Sequence, residues 1–181
     1  MTHENGGART MQEIENIVAF LEREALVLAT AESCTCGLMA SLLGDIPGCG
    51  KVLECGFVVY SPEAKNRLLE VNFDTIEEFG LTSEEVAREM AVGALRAACS
   101  ANMAIANTGV ADDDQEDEGG TQCYAYALKR GERVLVMSET VQFEGGRVEI
   151  RKLAAWHGLI RLPEMYVGLL KKLHGTATAS A

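Results

Sequence analysis

Ser33 stands in the segment Thr30-Ala31-Glu32-Ser33-Cys34-Thr35-Cys36-Gly37, directly after the apolar run Ala25-Leu26-Val27-Leu28-Ala29. A short aliphatic run reads as a buried strand. The small and hydroxylic residues behind it read as a tight turn into a helix, continued by Leu38-Met39-Ala40-Ser41-Leu42-Leu43. Such a turn sets a hydroxyl beside the unpaired N–H groups of a helix N-terminus. A serine so placed can attack a carbonyl carbon, and the N–H groups can hold the resulting oxyanion. The same residue types also cap helices well, so the octamer by itself leaves capping and catalysis both open.

The elements that must position this turn follow from periodicity. Met11, Ile14, Ile17, Val18 and Leu21 are spaced as one face of an amphipathic helix. Gly44-Asp45-Ile46-Pro47-Gly48 is a loop by composition, and Gly56-Phe57-Val58-Val59-Tyr60 a strand candidate. Ser61-Pro62-Glu63 starts a helix, with Ser61 as N-cap and Pro62 at the first helical position. Thr82 and Glu85 form a capping box for a helix through Val86, Met90, Ala94 and Leu95. Met103 to Asn107 reads as a further buried strand, ending at Thr108-Gly109. Tyr124 to Leu128 and Arg133 to Met137 read as a hairpin across Lys129 to Glu132. A last helix is expected after Gly145-Gly146, running to about Leu173 with a break near Pro163. This alternation, with one late hairpin, predicts an α/β fold, a three-layer α/β/α sandwich with a mixed sheet. Residues 1–10 are expected as a flexible N-terminal arm, 11–174 as a single domain, and 175–181 as a disordered tail.

Composition narrows the function classes. The 181 residues carry 48% hydrophobic side chains, enough for one globular domain with a full core. The net charge of −11 argues against nucleic acid as a partner, since such binding needs a basic footprint. It leaves a small anionic ligand open, because a local pocket can oppose the global sign. No apolar run approaches the roughly 20 residues needed to span a membrane. The N-terminus lacks the basic and apolar regions of a signal peptide, so a cytoplasmic location is expected. Cys34, Cys36, Cys49, Cys55, Cys99 and Cys123 form no paired C-x-x-C knuckles, and His3, His157 and His174 are distant in sequence. Reduced packing thiols are the expected state, with no metal centre and no cofactor.

Three segments converge on one family. Thr30 to Thr35, Gly56 to Lys65 and Ser83 to Met90 resemble, in order and spacing, the C-terminal domain of the CinA (competence/damage-inducible) family. Thr108-Gly109-Val110-Ala111 and Phe143-Glu144-Gly145-Gly146-Arg147 fall where that family has its T-G-I-A and F-x-G-D-R segments. The resemblance covers roughly residues 12–160. It implies the same three-layer fold, a homo-oligomer, and an amidohydrolase converting nicotinamide mononucleotide to the acid and ammonia, in NAD recycling. It makes Ser33 the nucleophile, with Tyr60 and Lys65 as its activating partners. Thr35, Gly37, Thr108, Gly109 and Arg147 are implied at the substrate.

The residue chemistry is compatible with those roles. An unassisted serine is a weak nucleophile and needs a base. Lys65 lies about one turn inside the helix starting at Pro62, where the positive end of the dipole disfavours an ammonium. Partial burial acts in the same direction, toward a neutral amine able to accept the serine proton. Tyr60 suits a proton relay or the steadying of a leaving amine. N–H groups around Thr35 are candidate oxyanion donors, and the fork of Arg147 suits a phosphate. Each residue also has a plainer reading: a solvated lysine, a strand-end aromatic, a surface charge.

Two features depart from the family pattern. Cys34-Thr35-Cys36-Gly37 replaces the usual C-T-G-G, adding a side chain at Cys36 expected to narrow the pocket. The glycine- and proline-rich loop usual after T-G-I-A is replaced by the acidic run Asp112 to Glu118. Several carboxylates facing a phosphate would cost about 2 kcal/mol, and far less if they turn into solvent. The run is either a solvated loop or a divalent-cation site, although it lacks the residue placement of a calcium loop. These departures give the alternative expectation, a catalytically inactive member that binds a nucleotide or a protein.

Overall fold

The computed structural model describes residues 3–111 and 119–175, with five strands and seven α-helices among them. Helices α1 (His3–Arg23), α2 (Leu38–Gly44), α3 (Pro62–Leu69), α4 (Phe73–Phe79), α5 (Glu84–Ala97), α6 (Arg147–Ile160) and α7 (Leu162–Gly175) surround one sheet. Its strands are β1 (Leu28–Glu32), β2 (Leu53–Val58), β3 (Met103–Gly109), β4 (Thr121–Arg130) and β5 (Arg133–Gln142). They lie in the order β2-β1-β3-β4-β5. β1 runs parallel to both β2 and β3, whereas β3–β4 and β4–β5 are antiparallel, so the sheet is mixed as expected.

The two faces of the sheet are built from different side chains, because successive residues of a strand point to opposite sides. One face carries Leu28, Met103, Ile105, Tyr124, Tyr126 and Leu128, and packs against apolar residues of α1, α2, α6 and α7. The other is almost all alanine: Ala29, Ala31, Ala104, Ala106, Ala125 and Ala127. That flat face lets α5 lie close, with Val86, Ala87, Met90, Ala91 and Ala94 fully buried. α5 also meets α3 closely, since a Cβ at Gly93 would sit 1.9 Å from the Leu69 carbonyl oxygen. Layers of helix, sheet and helix result. The buried phenols on the larger face are satisfied: Tyr124 donates to Ala154 O (3.0 Å) and Tyr126 to Gly158 O (3.1 Å).

Local structure departs from expectation at identifiable places. α1 begins at His3 rather than near Met11. Once the amphipathic segment is helical, extending it toward the N-terminus needs no new nucleation, which offsets the poor propensity of Gly6 and Gly7. The cap of α5 is Ser83, not Thr82: Ser83 Oγ accepts from Val86 N (3.3 Å) and donates to Gly80 O (2.9 Å). Thr82 is thereby left in the wall of a cleft. Two segments stay paired well beyond their apolar cores, since β4 and β5 are joined by only Gly131-Glu132 and Gly131 adopts φ 60°. The last helix is indeed two, with Pro163 in the first turn of α7. The acidic run Asp112 to Glu118 and the tail beyond Gly175 lie outside the described residues.

Candidate active site

Three strand ends meet at the carboxyl-terminal end of the parallel strands β2, β1 and β3. β1 ends at Glu32, and the next residue, Ser33, donates its N–H to Asn107 O of β3 (2.9 Å). On the other side Val59 N–H donates to Glu32 O (2.9 Å), which brings the exit of β2 beside Ser33. The carboxyl ends of parallel strands are where open α/β sheets hold their ligands, because the departing segments leave a crevice there.

Glu32 organises the turn. Its buried carboxylate accepts from Thr30 Oγ1 (3.0 Å), Thr35 Oγ1 (2.8 Å), Met39 N (3.0 Å) and Ala40 N (3.0 Å). The N-cap of α2 is Gly37, at φ 88° and without a side chain to cap with. Glu32 therefore supplies from the strand the acceptors that the first turn of α2 needs, and a negative charge at its positive end. Cys36 adopts φ 53°, a left-handed conformation that explains why glycine is at ease in this position. Its side chain is exposed and is not among the described walls of the cleft, so the expected narrowing is not seen.

Lys65 reaches Ser33 by helix geometry. Ser61 Oγ accepts from Ala64 N (3.1 Å) and Pro62 opens α3, so Lys65 is the fourth helical residue. Side chains on a helix lean toward its N-terminus. Lys65 thus folds back over the segment entering its own helix, where Nζ donates to Val59 O (3.1 Å) and Tyr60 O (3.1 Å). Its remaining contact is Ser33 Oγ at 2.9 Å. Lys65 is 1% exposed, and burial pushes its pKa down to about 8.

A cleft of about 510 Å³ opens over this pair. Thr108, Gly109, Val110 and Ala111 form one wall, and Phe79 to Thr82 another. Thr108 Oγ1 donates to Leu81 O (2.8 Å), tying the two walls together. Gly109 is there for packing, since a Cβ would lie 2.5 Å from the Gln122 side chain and Thr121 O. Tyr60 and Arg147 stand at the rim, and Arg147 Nη2 donates to the Tyr60 hydroxyl (3.2 Å). The sequence-derived residues are thus brought together unequally. Ser33 and Lys65 touch, Tyr60 holds Lys65 through its main-chain carbonyl, and Thr108, Gly109 and Arg147 line the cleft. Thr35 and Gly37 are not among its described walls. The Thr35 N–H, a candidate oxyanion donor, is given to Asn107 Oδ1 (3.2 Å).

Four polar residues at the site carry no role in the sequence reading: Glu32, Asn107, Gln122 and Arg151. Asn107 had the signal of an amide closing an apolar strand and Glu32 that of a carboxylate inside the turn segment, while Gln122 and Arg151 had no local signal.

The CinA C-terminal domain model matches residues 11–166. The chain belongs to this family. Among family members, it is 42% identical over 139 residues to a CinA-like protein of Chlorobium phaeobacteroides (strain BS1), covering 75% of this chain and 33% of that protein. The chain thus spans about a third of the length of that CinA-like relative. It is 36% identical over 160 residues to the nicotinamide-nucleotide amidohydrolase PncC of Escherichia coli (strain K12), covering 87% of this chain and 94% of that one. A crystal structure of the competence damage-inducible protein A from Klebsiella pneumoniae superposes with a TM-score of 0.80 at 28% identity. That match covers 87% of this chain and 97% of the other. The CinA fold is therefore shared along nearly the whole domain. No described helix is long and apolar enough to cross a membrane.

Proposed function

We propose that this chain is an amidohydrolase acting on nicotinamide mononucleotide or a closely related amide, with Ser33 as nucleophile and Lys65 as general base. The observation that carries the reading is the 2.9 Å contact between Ser33 Oγ and a buried Lys65 Nζ whose pKa is brought to about 8. A neutral amine fits its surroundings: two N–H groups serve the carbonyls of Val59 and Tyr60, and the lone pair faces the serine hydroxyl.

In the first half-reaction Lys65 takes the hydroxyl proton as Oγ attacks the carboxamide carbon. The tetrahedral intermediate then collapses. The C–N bond breaks, the Lys65 ammonium returns its proton to the departing nitrogen, and ammonia leaves an ester on Ser33. In the second half-reaction Lys65 deprotonates a water that attacks the ester. Collapse releases the carboxylic acid, and the proton goes back to Oγ.

Substrate binding falls to the rim and walls. The guanidinium of Arg147 suits the phosphate of a nucleotide, and the Tyr60 phenol it contacts borders the same opening. Phe79 and Leu81 offer apolar surface to a flat ring. A cleft of about 510 Å³ lies within the range of roughly 300–1,000 Å³ usual for small-molecule sites. The similarity to the Escherichia coli amidohydrolase supports the choice of substrate. NAD recycling, a cytoplasmic location and a homo-oligomer belong to the same proposal.

The test is ammonia release from nicotinamide mononucleotide by the purified full chain, beside Ser33→Ala. Release by the wild type, reduced at least about a thousandfold in Ser33→Ala, is the expected result. Full activity in Ser33→Ala would remove the serine mechanism. Nucleotide-induced thermal stabilisation without turnover would favour the binding-only alternative.

A further inference from the structure

The peptide that follows the nucleophile is held at both ends by side chains from elsewhere in the fold. Arg151 Nε, from the second turn of α6, donates to Cys34 O (3.0 Å), and its Nη2 donates to Thr35 O (3.3 Å). From the opposite direction Asn107 Oδ1, on β3, accepts the Thr35 N–H (3.2 Å). The Cys34–Thr35 peptide plane therefore has its carbonyl gripped by α6 and its N–H gripped by the sheet. Asn107 is itself fixed: its Nδ2 donates to Gln122 Oε1 (3.0 Å). Gln122 Nε2 donates onward to Val110 O (3.0 Å) and contacts Cys34 Sγ (3.4 Å). Asn107 and Gln122 are fully buried, where such amides persist only if satisfied.

We propose that Arg151 is a positioning residue for Ser33: by bridging Cys34 O and Thr35 O against the Asn107–Gln122 pair, it sets the orientation from which Oγ attacks. This rests on the reading of Ser33 as the nucleophile. The physical need is plain. The turn contains Cys36 and Gly37, both left-handed, at φ 53° and 88°, and it is followed by a helix of only 7 residues. The turn's own backbone bonds, Cys36 N–H to Ser33 O (3.1 Å) and Leu38 N–H to Thr35 O (3.2 Å), close on either side of the Cys34–Thr35 peptide, whose N–H is held by a side chain, and a misplacement of about 1 Å can cost 100-fold in rate. A guanidinium spans two carbonyls with donors in a fixed fork, which an ammonium on a flexible stem does not. Arg151 also lies one turn beyond Arg147 on α6, so one helix carries both the rim guanidinium and the grip on the nucleophile turn.

The experiment compares wild type, Arg151→Lys and Arg151→Met by steady-state kinetics on nicotinamide mononucleotide, by thermal unfolding, and by crystal structure. The expected result for Arg151→Met is kcat lower by about 10- to 100-fold with KM within about threefold. Millimolar guanidinium should partly restore kcat, and Arg151→Lys should fall between. The structure of Arg151→Met should show the Cys34–Thr35 peptide rotated and Ser33 Oγ drawn away from Lys65 Nζ. An unmoved turn in that structure overturns the inference, whatever the activity. So does unchanged kcat, or a loss of kcat that guanidinium does not restore and that tracks lost thermal stability. Absence of Ser33-dependent turnover in the wild type would instead count against the amidohydrolase reading, and the variant structures would still decide the positioning role.

Discussion

Lys65 Nζ of α3 and Ser33 Oγ, 32 residues apart in sequence, lie 2.9 Å from one another beyond the ends of two neighbouring parallel strands, β2 and β1. The contact exists because Val59 N–H is bonded to Glu32 O, which aligns the exits of β2 and β1. It is one-sided. The amine is enclosed by Val59 O, Tyr60 O and the serine, so its protonation state is set by burial and bears directly on the Ser33 hydroxyl.

A pH profile follows from that enclosure. With a pKa near 8, about a tenth of Lys65 is neutral at pH 7, and most of it is neutral at pH 9. kcat/KM is expected to rise roughly tenfold from pH 7 to 9 and then level. A flat profile over that range would exclude Lys65 as the base. Lys65→Arg, which stays charged, is expected to be inactive throughout.

The same titration should be readable in stability. Lys65 titrates near 8 when folded and at 10.5 as an ordinary lysine, so between these values the unfolded chain binds the extra proton. Stability therefore rises with pH from 8 to 10.5, and below 8 the folded protein carries the full cost of a buried ammonium, about 3 kcal/mol. Lys65→Met keeps the volume without the charge, and it leaves the Val59 and Tyr60 carbonyls without their donor at every pH. The titration is therefore read from the pH dependence: in urea unfolding the wild type is expected to gain about 3 kcal/mol on Lys65→Met between pH 7 and 10.5. A difference that does not change with pH would contradict this.

Glu32→Gln offers a cleaner probe of the turn than truncation. A carboxamide has one acceptor oxygen, so its NH₂ must face either Met39 N–H or Ala40 N–H. The threonine hydroxyls can rotate to accept, but a backbone N–H cannot. One amide of α2 is left unsatisfied, at a cost of about 1–3 kcal/mol readable in the urea midpoint.

Arg147→Ala tests the proposed phosphate contact separately from the proposed chemistry. Losing a charge-assisted contact should raise KM for nicotinamide mononucleotide about 10- to 100-fold. Nicotinamide riboside, which lacks the phosphate, should be affected little by the same change. Equal effects on both would place the phosphate elsewhere.

Gly93→Ala tests the close contact between α5 and α3. Alanine is the better helix former by about 1 kcal/mol, yet its Cβ would fall 1.9 Å from Leu69 O, a backbone atom that cannot swing aside. Overpacking of this kind costs about 1–3 kcal/mol or more, so net destabilisation is expected in thermal unfolding.

Local features were legible because their causes are local. The strand before Ser33, the Ser61-Pro62 helix start and the break at Pro163 each follow from a few adjacent residues, and Lys65 was placed one turn into its helix by the same count. The alternation of elements was enough for a three-layer fold with a mixed sheet. Misplacements were also local in kind: Thr82 has the chemistry of a cap, but Ser83 takes the role because Gly80 O lies within reach of its hydroxyl.

What only the tertiary structure decided is how distant groups share a few ångströms of space. Arg151 meets Cys34 O across 117 residues, and Thr35 meets Asn107 across 72. The phenol of Tyr60 is directed to Arg147, while its carbonyl, a group every residue has, holds Lys65. No spacing rule encodes such contacts, because they depend on which strand ends are neighbours in the sheet and where α6 crosses them. Residue types and periodicity determined the turn that carries Ser33 and the layers around it. Sheet order and helix packing determined which amides, carbonyls and guanidiniums hold that turn in place.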